Sequence, residues 1–106
     1  MKRLPGSISM LLVLAAMAAP ASDAMATDRQ TKARSLAATC ANCHGTDGHA
    51  PAGGQALAGR SKDDIVTLMR LFREGGKPST IMGQIAKGYT PGQVELIAEH
   101  FAAQKR

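Results

Sequence analysis

The chain has no tryptophan, one tyrosine and two phenylalanines in 106 residues. So few aromatics leave little of the broad apolar surface from which a small core is normally built. Only two cysteines are present, Cys40 and Cys43, and a bridge between residues three apart closes too small a loop to restrain the unfolded chain. A disulfide scaffold is therefore excluded. No strand-like run precedes Cys40, which sets aside the strand-helix-strand context of a redox-active Cys-x-x-Cys. Long blocks of one charge are also missing. The formal net charge of +5 is scattered along the chain, which disfavours nucleic-acid binding and leaves acidic partner surfaces as the expected counterpart.

The N-terminus reads as a leader. Lys2 and Arg3 precede an apolar run, Ile8 to Ala19, and small residues follow; this is the pattern of a secretory signal peptide. Ala24-Met25-Ala26 matches the A-x-A cleavage rule, so residues 1–26 are expected to be removed and residues 27–106 to form one domain. Cleavage after Ala21 is the rival. An uncleaved anchor is disfavoured because the run is short for a bilayer span. Loss of Lys2, Arg3 and Asp23 with the leader brings the charge from +5 to +4. The remaining chain of about eighty residues is near the size at which a hydrophobic core alone is marginal, so it calls for a staple.

Cys40-Ala41-Asn42-Cys43-His44 supplies one. Cys-x-x-Cys-His is the attachment signature of a c-type haem. If Leu36 to His44 is helical, both thiols and the imidazole share a face. The thiols then reach two vinyl groups on one porphyrin edge, and His44 comes under the iron as its fifth ligand. Zinc would need further ligands from His49 and His100, and Cys43 with its neighbour His44 on one tetrahedral ion would be cramped. His49 reads as a solvated loop residue. A covalent haem also supplies the flat apolar mass that the aromatics do not.

Thr27 to Thr39 is helix-prone, with Asp28 in or before the first turn and Ala33, Leu36 and Ala37 as its apolar stripe. Gly45 to Gly59, with Pro51 and Gly53-Gly54, reads as a loop packed over a haem face. Ser61 caps a helix whose stripe is Ile65, Leu68, Met69 and Phe72, and Gly75-Gly76 and Pro78 end it. Thr80 to Lys87 reads as a short helical turn. Thr90-Pro91 with Gln93 opens the last helix, whose buried stripe is Val94, Ile97, Ala98 and Phe101.

A His/Met-ligated haem is the electron-transfer arrangement, because a thioether favours ferrous iron and both axial positions are filled. Two methionines lie downstream of the motif. Met69 falls inside an amphipathic helix as core filler, whereas Met82 lies between the Pro78 break and the Thr90 cap. Met82 is the expected sixth ligand.

With the motif near the N-terminus, a methionine near the C-terminus and flanking helices, residues Leu36 to Gln104 resemble the small class I cytochromes c. The resemblance implies an all-α fold with helices and loops wrapped around one covalent haem c, and a carrier of single electrons rather than an enzyme. Leu57-Ala58-Gly59-Arg60, Leu71 to Gly75 and Ile81 to Tyr89 look most like the haem subunit of flavocytochrome c sulfide dehydrogenase, which receives electrons from a flavoprotein that oxidises sulfide. That implies a flavoprotein sulfide dehydrogenase as redox partner, in the periplasm; a free periplasmic shuttle to a terminal oxidase or other redox enzyme is the alternative. Many relatives place a proline near position 55, where a backbone carbonyl holds the ligand imidazole, which leaves that part to Gln55 or Pro51. Gly83 stands where the sub-family often has His, and His100 where an aromatic is usual. From other classes, a thiol-disulfide oxidoreductase would use Cys40 and Cys43 as a redox pair, and a haem enzyme or gas sensor would leave the sixth position open.

Overall fold

The computed structural model describes residues 1–2 and 21–106; Arg3 and the apolar run Ile8–Ala19 of the expected leader lie outside the described residues. Five helices follow in order: α1 (Ala21–Ala37), α2 (Ala41–His44), α3 (Lys62–Glu74), α4 (Met82–Ala86) and α5 (Pro91–Ala102). A 3₁₀ turn, Ala38–Cys40, joins α1 to α2, and a second, Thr46–Gly48, follows α2. No strand occurs among the described residues, as the all-α reading expects.

Helix α1 already runs through Ala21 to Ala26, ahead of the expected Thr27. No glycine or proline interrupts Ala21 to Ala26, and alanine has the highest helix propensity. Nothing is buried until Ala33, so this first stretch is helical without a tertiary partner. The later boundaries follow their caps. The Asp64 amide donates to Ser61 Oγ at 3.1 Å, and Gly75 closes α3 in the left-handed region at φ +76°. Thr90 and Gln93 form a full capping box: the Gln93 amide donates to Thr90 Oγ1 at 3.2 Å and the Thr90 amide to Gln93 Oε1 at 2.9 Å. Each such cap contributes about 1 kcal/mol by satisfying otherwise orphaned backbone donors.

The core is where α1, α3, α4 and α5 converge. Ala37, Ile65, Met69, Ala86, Val94, Ile97, Ala98 and Phe101 form one buried cluster. Ala98 is wholly inaccessible and Phe101 is 1% exposed; the small side chains of α1 and α5 let the two helices approach closely. Outside the core, Arg29 of α1 pairs with Glu99 of α5 at 2.5 Å, and Lys62 at the start of α3 reaches Glu95 at 2.6 Å and Glu99 at 3.3 Å. This network ties three helices, although each exposed pair contributes only about 0.2–1 kcal/mol.

Candidate cofactor site

Cys40 ends the 3₁₀ turn, and Cys43 and His44 occupy the single turn of α2. The expected continuation of helix from Leu36 to His44 is therefore present, tightened to 3₁₀ over three residues. Both thiols are free; Cys40 is half-buried and Cys43 exposed. Burial pushes the Cys40 thiol above its usual value. A redox-active cysteine pair needs a stabilised thiolate. At Cys40 the environment favours the neutral thiol, which argues against a thiol-disulfide oxidoreductase.

His44 is half-buried, and its Nδ1 lies 2.6 Å from the Gln55 carbonyl oxygen. A carbonyl only accepts, so Nδ1 carries the proton and donates it. That fixes the tautomer and leaves the Nε2 lone pair available for a metal. The 45–59 loop supplies this acceptor, and of the two expected carbonyls, Gln55 and Pro51, it is Gln55.

Met82 is the first residue of α4, inside the short helical turn expected over Thr80 to Lys87. It packs, half-buried, against the outside of the core cluster, as do Cys40, Leu36, Leu57, Val66, Phe72 and Tyr89. Met69 belongs to the buried cluster itself. The two methionines thus divide as the sequence pattern expects, one filling core and one at its edge.

The remaining histidines are engaged elsewhere. His49 Nε2 lies 2.7 Å from the Lys105 carbonyl and its Nδ1 3.3 Å from that of Thr46. Its ring is exposed, as expected of a loop residue, yet it fastens the loop to the C-terminus. His100 Nε2 meets Asp47 Oδ1 at 3.0 Å, and its ring stands edge-on to Phe101 with centroids 5.3 Å apart. Among the described residues no three His, Cys, Asp or Glu side chains gather as a metal cluster, which leaves the zinc reading without ligands. A groove between α1 and α5 is lined by Ala33, Arg34, Glu99 and His100 but by none of Cys40, Cys43, His44 or Met82.

The donor set fits a covalent haem. Two free thiols three residues apart, an imidazole with Nδ1 committed and Nε2 open, and half-buried apolar side chains on the same core are the groups such a ligand requires. One further contact, a 2.7 Å hydrogen bond between Thr39 Oγ1 and the Tyr89 hydroxyl, joins residues 50 positions apart and so has no local signal.

Comparison with known proteins points the same way. No family model matches the chain. A 72-residue segment is 40% identical to the cytochrome subunit of sulfide dehydrogenase from Chlorobaculum tepidum, covering 68% of this chain and 66% of that protein. Cytochrome c-553 of Desulfomicrobium norvegicum is 31% identical over 71 residues, 64% of this chain and 89% of the relative. Cytochrome c-552 of Acidithiobacillus ferridurans is 33% identical over 64 residues, 60% of this chain but only 28% of the relative's length.

Proposed function

The chain belongs to the class I c-type cytochromes, monohaem electron-transfer proteins with covalent haem c, and from that premise we propose that Cys40, Cys43, His44 and Met82 hold its haem. Haem c supplies a ferric/ferrous couple that takes up and releases one electron. Cys40 and Cys43 are the thioether positions, one seated against the core and the other open. His44 Nε2 is the fifth ligand, aimed by the Nδ1 proton that it gives to Gln55. Met82 is the sixth. With His44 and Met82 both given to the iron, no ligand position would remain for a substrate, and the protein would carry electrons rather than act as a catalyst.

The observation that carries this reading is the 2.6 Å contact from His44 Nδ1 to the Gln55 carbonyl, since it orients the ring and increases its basicity as a ligand. A haem stain after denaturing electrophoresis tests attachment: the stain is expected to survive boiling in detergent, and Cys43→Ser is expected to weaken it. Met82→Ala is expected to abolish the weak far-red band of Met-ligated ferric haem and to lower the potential. An unchanged band moves the sixth ligand elsewhere.

The partner is a flavoprotein sulfide dehydrogenase, by analogy with the relative that is 40% identical and with the Ile81 to Tyr89 segment. A free shuttle is the second reading, favoured by the names of the other two relatives, which mention no complex. Co-purification separates them, since a subunit travels with a flavoprotein and a shuttle elutes alone. Residues 1–26 are a cleaved leader and residues 27–106 the working domain, exported to the periplasm. No helix among the described residues is long and apolar enough to cross a membrane. N-terminal sequencing of the exported protein tests the boundary and is expected to begin at Thr27.

A further inference from the structure

We propose that Tyr89 is a positioning residue whose hydroxyl, donated to Thr39, clasps the segment carrying Met82 onto the turn carrying Cys40 and so holds the sixth ligand in place. The proposal rests on the reading of Met82 as that ligand.

The direction of the bond follows from its neighbours. Thr39 Oγ1 lies 2.8 Å from the Leu36 carbonyl and 2.7 Å from the Tyr89 hydroxyl. The carbonyl can only accept, so the single Thr39 proton goes there. Thr39 Oγ1 therefore accepts from Tyr89 Oη–H. Thr39 precedes Cys40, at whose Sγ its Oγ1 stands 4.0 Å away, so the acceptor is built into the turn that bears the first thiol.

Tyr89 is fixed at its other end as well. Its carbonyl accepts from Arg73 Nη1 of α3 at 3.0 Å, and its ring packs half-buried on the core. It stands at the junction of α4 and α5, immediately before the Thr90 cap. Helix α4 is only five residues long, too short to be stable by itself. Ala86 anchors it to the core from within. Among the described residues, the Tyr89–Thr39 bond is the one hydrogen bond linking residues 76–90 to residues 36–48. The two halves of a haem ligand set would lie on either side of that bond.

The test uses the mature, haem-loaded protein, with added imidazole as a competing sixth ligand. Imidazole displaces a methionine ligand in proportion to how often the ligand's segment opens. Tyr89→Phe and Thr39→Val each remove the bond while keeping the shape, and each is expected to tighten apparent imidazole binding on the order of fivefold, the effect of one neutral hydrogen bond. Thr39→Ser keeps the acceptor and is expected to bind imidazole as the wild type does. The double variant Y89F/T39V is expected to equal T39V, because once Thr39 no longer accepts, removing the Tyr89 hydroxyl takes away nothing further. Hydrogen exchange gives an independent readout: the Gln84 and Ile85 amides, which donate to the Ile81 carbonyl at 2.9 and 3.1 Å, are expected to exchange faster in Y89F.

Wild-type imidazole affinity in Y89F and T39V, or additive effects in the double variant, overturns the clasp. Met82→Ala measured alongside separates the failures. If the far-red band survives in M82A, the ligand assignment falls and the clasp with it. If the band is lost in M82A while Y89F and T39V behave as wild type, the clasp alone falls.

Discussion

Two glycines with nearly the same backbone and opposite surroundings allow the packing of the loop after His44 to be measured. Gly48 has φ +80° and Gly53 φ +84°. A Cβ at Gly48 would stand 2.7 Å from the Ala58 amide nitrogen, 2.8 Å from Phe101 Cδ1 and 3.0 Å from Leu57 Cβ, whereas at Gly53 nothing lies within 4 Å. Replacing either glycine by alanine puts an L-residue in the left-handed region, at about 1 kcal/mol. At Gly53 that is the whole effect. At Gly48 the new methyl also meets backbone and the buried Phe101 ring, and overpacking of this kind costs about 1–3 kcal/mol more. Gly48→Ala is thus expected to destabilise by about 2–4 kcal/mol, a large fraction of the roughly 4–12 kcal/mol available to a domain of this size. At about 4–8 °C per kcal/mol for a domain this small, G53A lowers Tm by about 4–8 °C and G48A by about 8–32 °C. The assay is thermal unfolding of the haem-loaded protein by circular dichroism, with guanidinium titration to confirm an unchanged m-value. Equal shifts for the two variants would refute the claim that the loop is packed against α5 through Gly48.

Three further outcomes follow from the caps, the ion network and the net charge. Ser61→Ala removes the acceptor for the Asp64 amide and is expected to cost about 0.5–2 kcal/mol in urea denaturation, while Ser61→Asp restores most of it. The Glu99 carboxyl is held below its ordinary value by the hydrogen bond from Arg29 first and then by Lys62, with burial opposing. Its folded pKa lies below the unfolded one, so its contribution is present above the unfolded value of about 4.3 and is lost as pH falls through the folded value. Urea titrations between pH 6 and pH 3 are expected to show a fall in stability that E99Q flattens; an equally steep fall in E99Q contradicts the pairing. If the positive charge guides encounter with an acidic partner, electron transfer from that partner slows as ionic strength rises, and a salt-independent rate in stopped flow points to a preformed complex.

What could be read from the sequence was local. Ser61, Gly75, Thr90, Pro91 and Gln93 each act within one turn of where they stand, and the structure shows them capping the expected ends. The spacing of Ile65 and Met69, and of Val94, Ile97, Ala98 and Phe101, is enough to identify the buried faces because helical period and burial are the same fact seen twice. The expected start at Thr27 falls inside α1, because a cleavage rule says nothing about helix and an alanine-rich stretch is helical through it. What spacing cannot reveal is which distant residues meet. Gln55 and Pro51 both offer a carbonyl to His44 in the sequence, and only the path of the 45–59 loop decides between them. Asp47 with His100, His49 with Lys105 and Thr39 with Tyr89 are 53, 56 and 50 residues apart, and no periodicity links them.

Those long-range contacts share a logic. Cys43 and His44 sit on a single short turn of helix, α2, with Cys40 at the end of the 3₁₀ turn before it, and a turn of that length cannot hold itself. It is held by the elements around it: α1 runs into it through the 3₁₀ turn, the loop returns Gln55 to His44, Asp47 is drawn to α5 by His100, and Tyr89 reaches Thr39 from the far end of the Met82 segment. A chain with three aromatic residues cannot surround such a turn with bulk. It fastens the turn instead with hydrogen bonds from separate parts of the sequence, while Cys40, Met82, Val66 and Phe72 pack only half-buried against the core. If Cys40 and Met82 hold the haem as proposed, its flat apolar face would add the packing that so few aromatic side chains cannot supply.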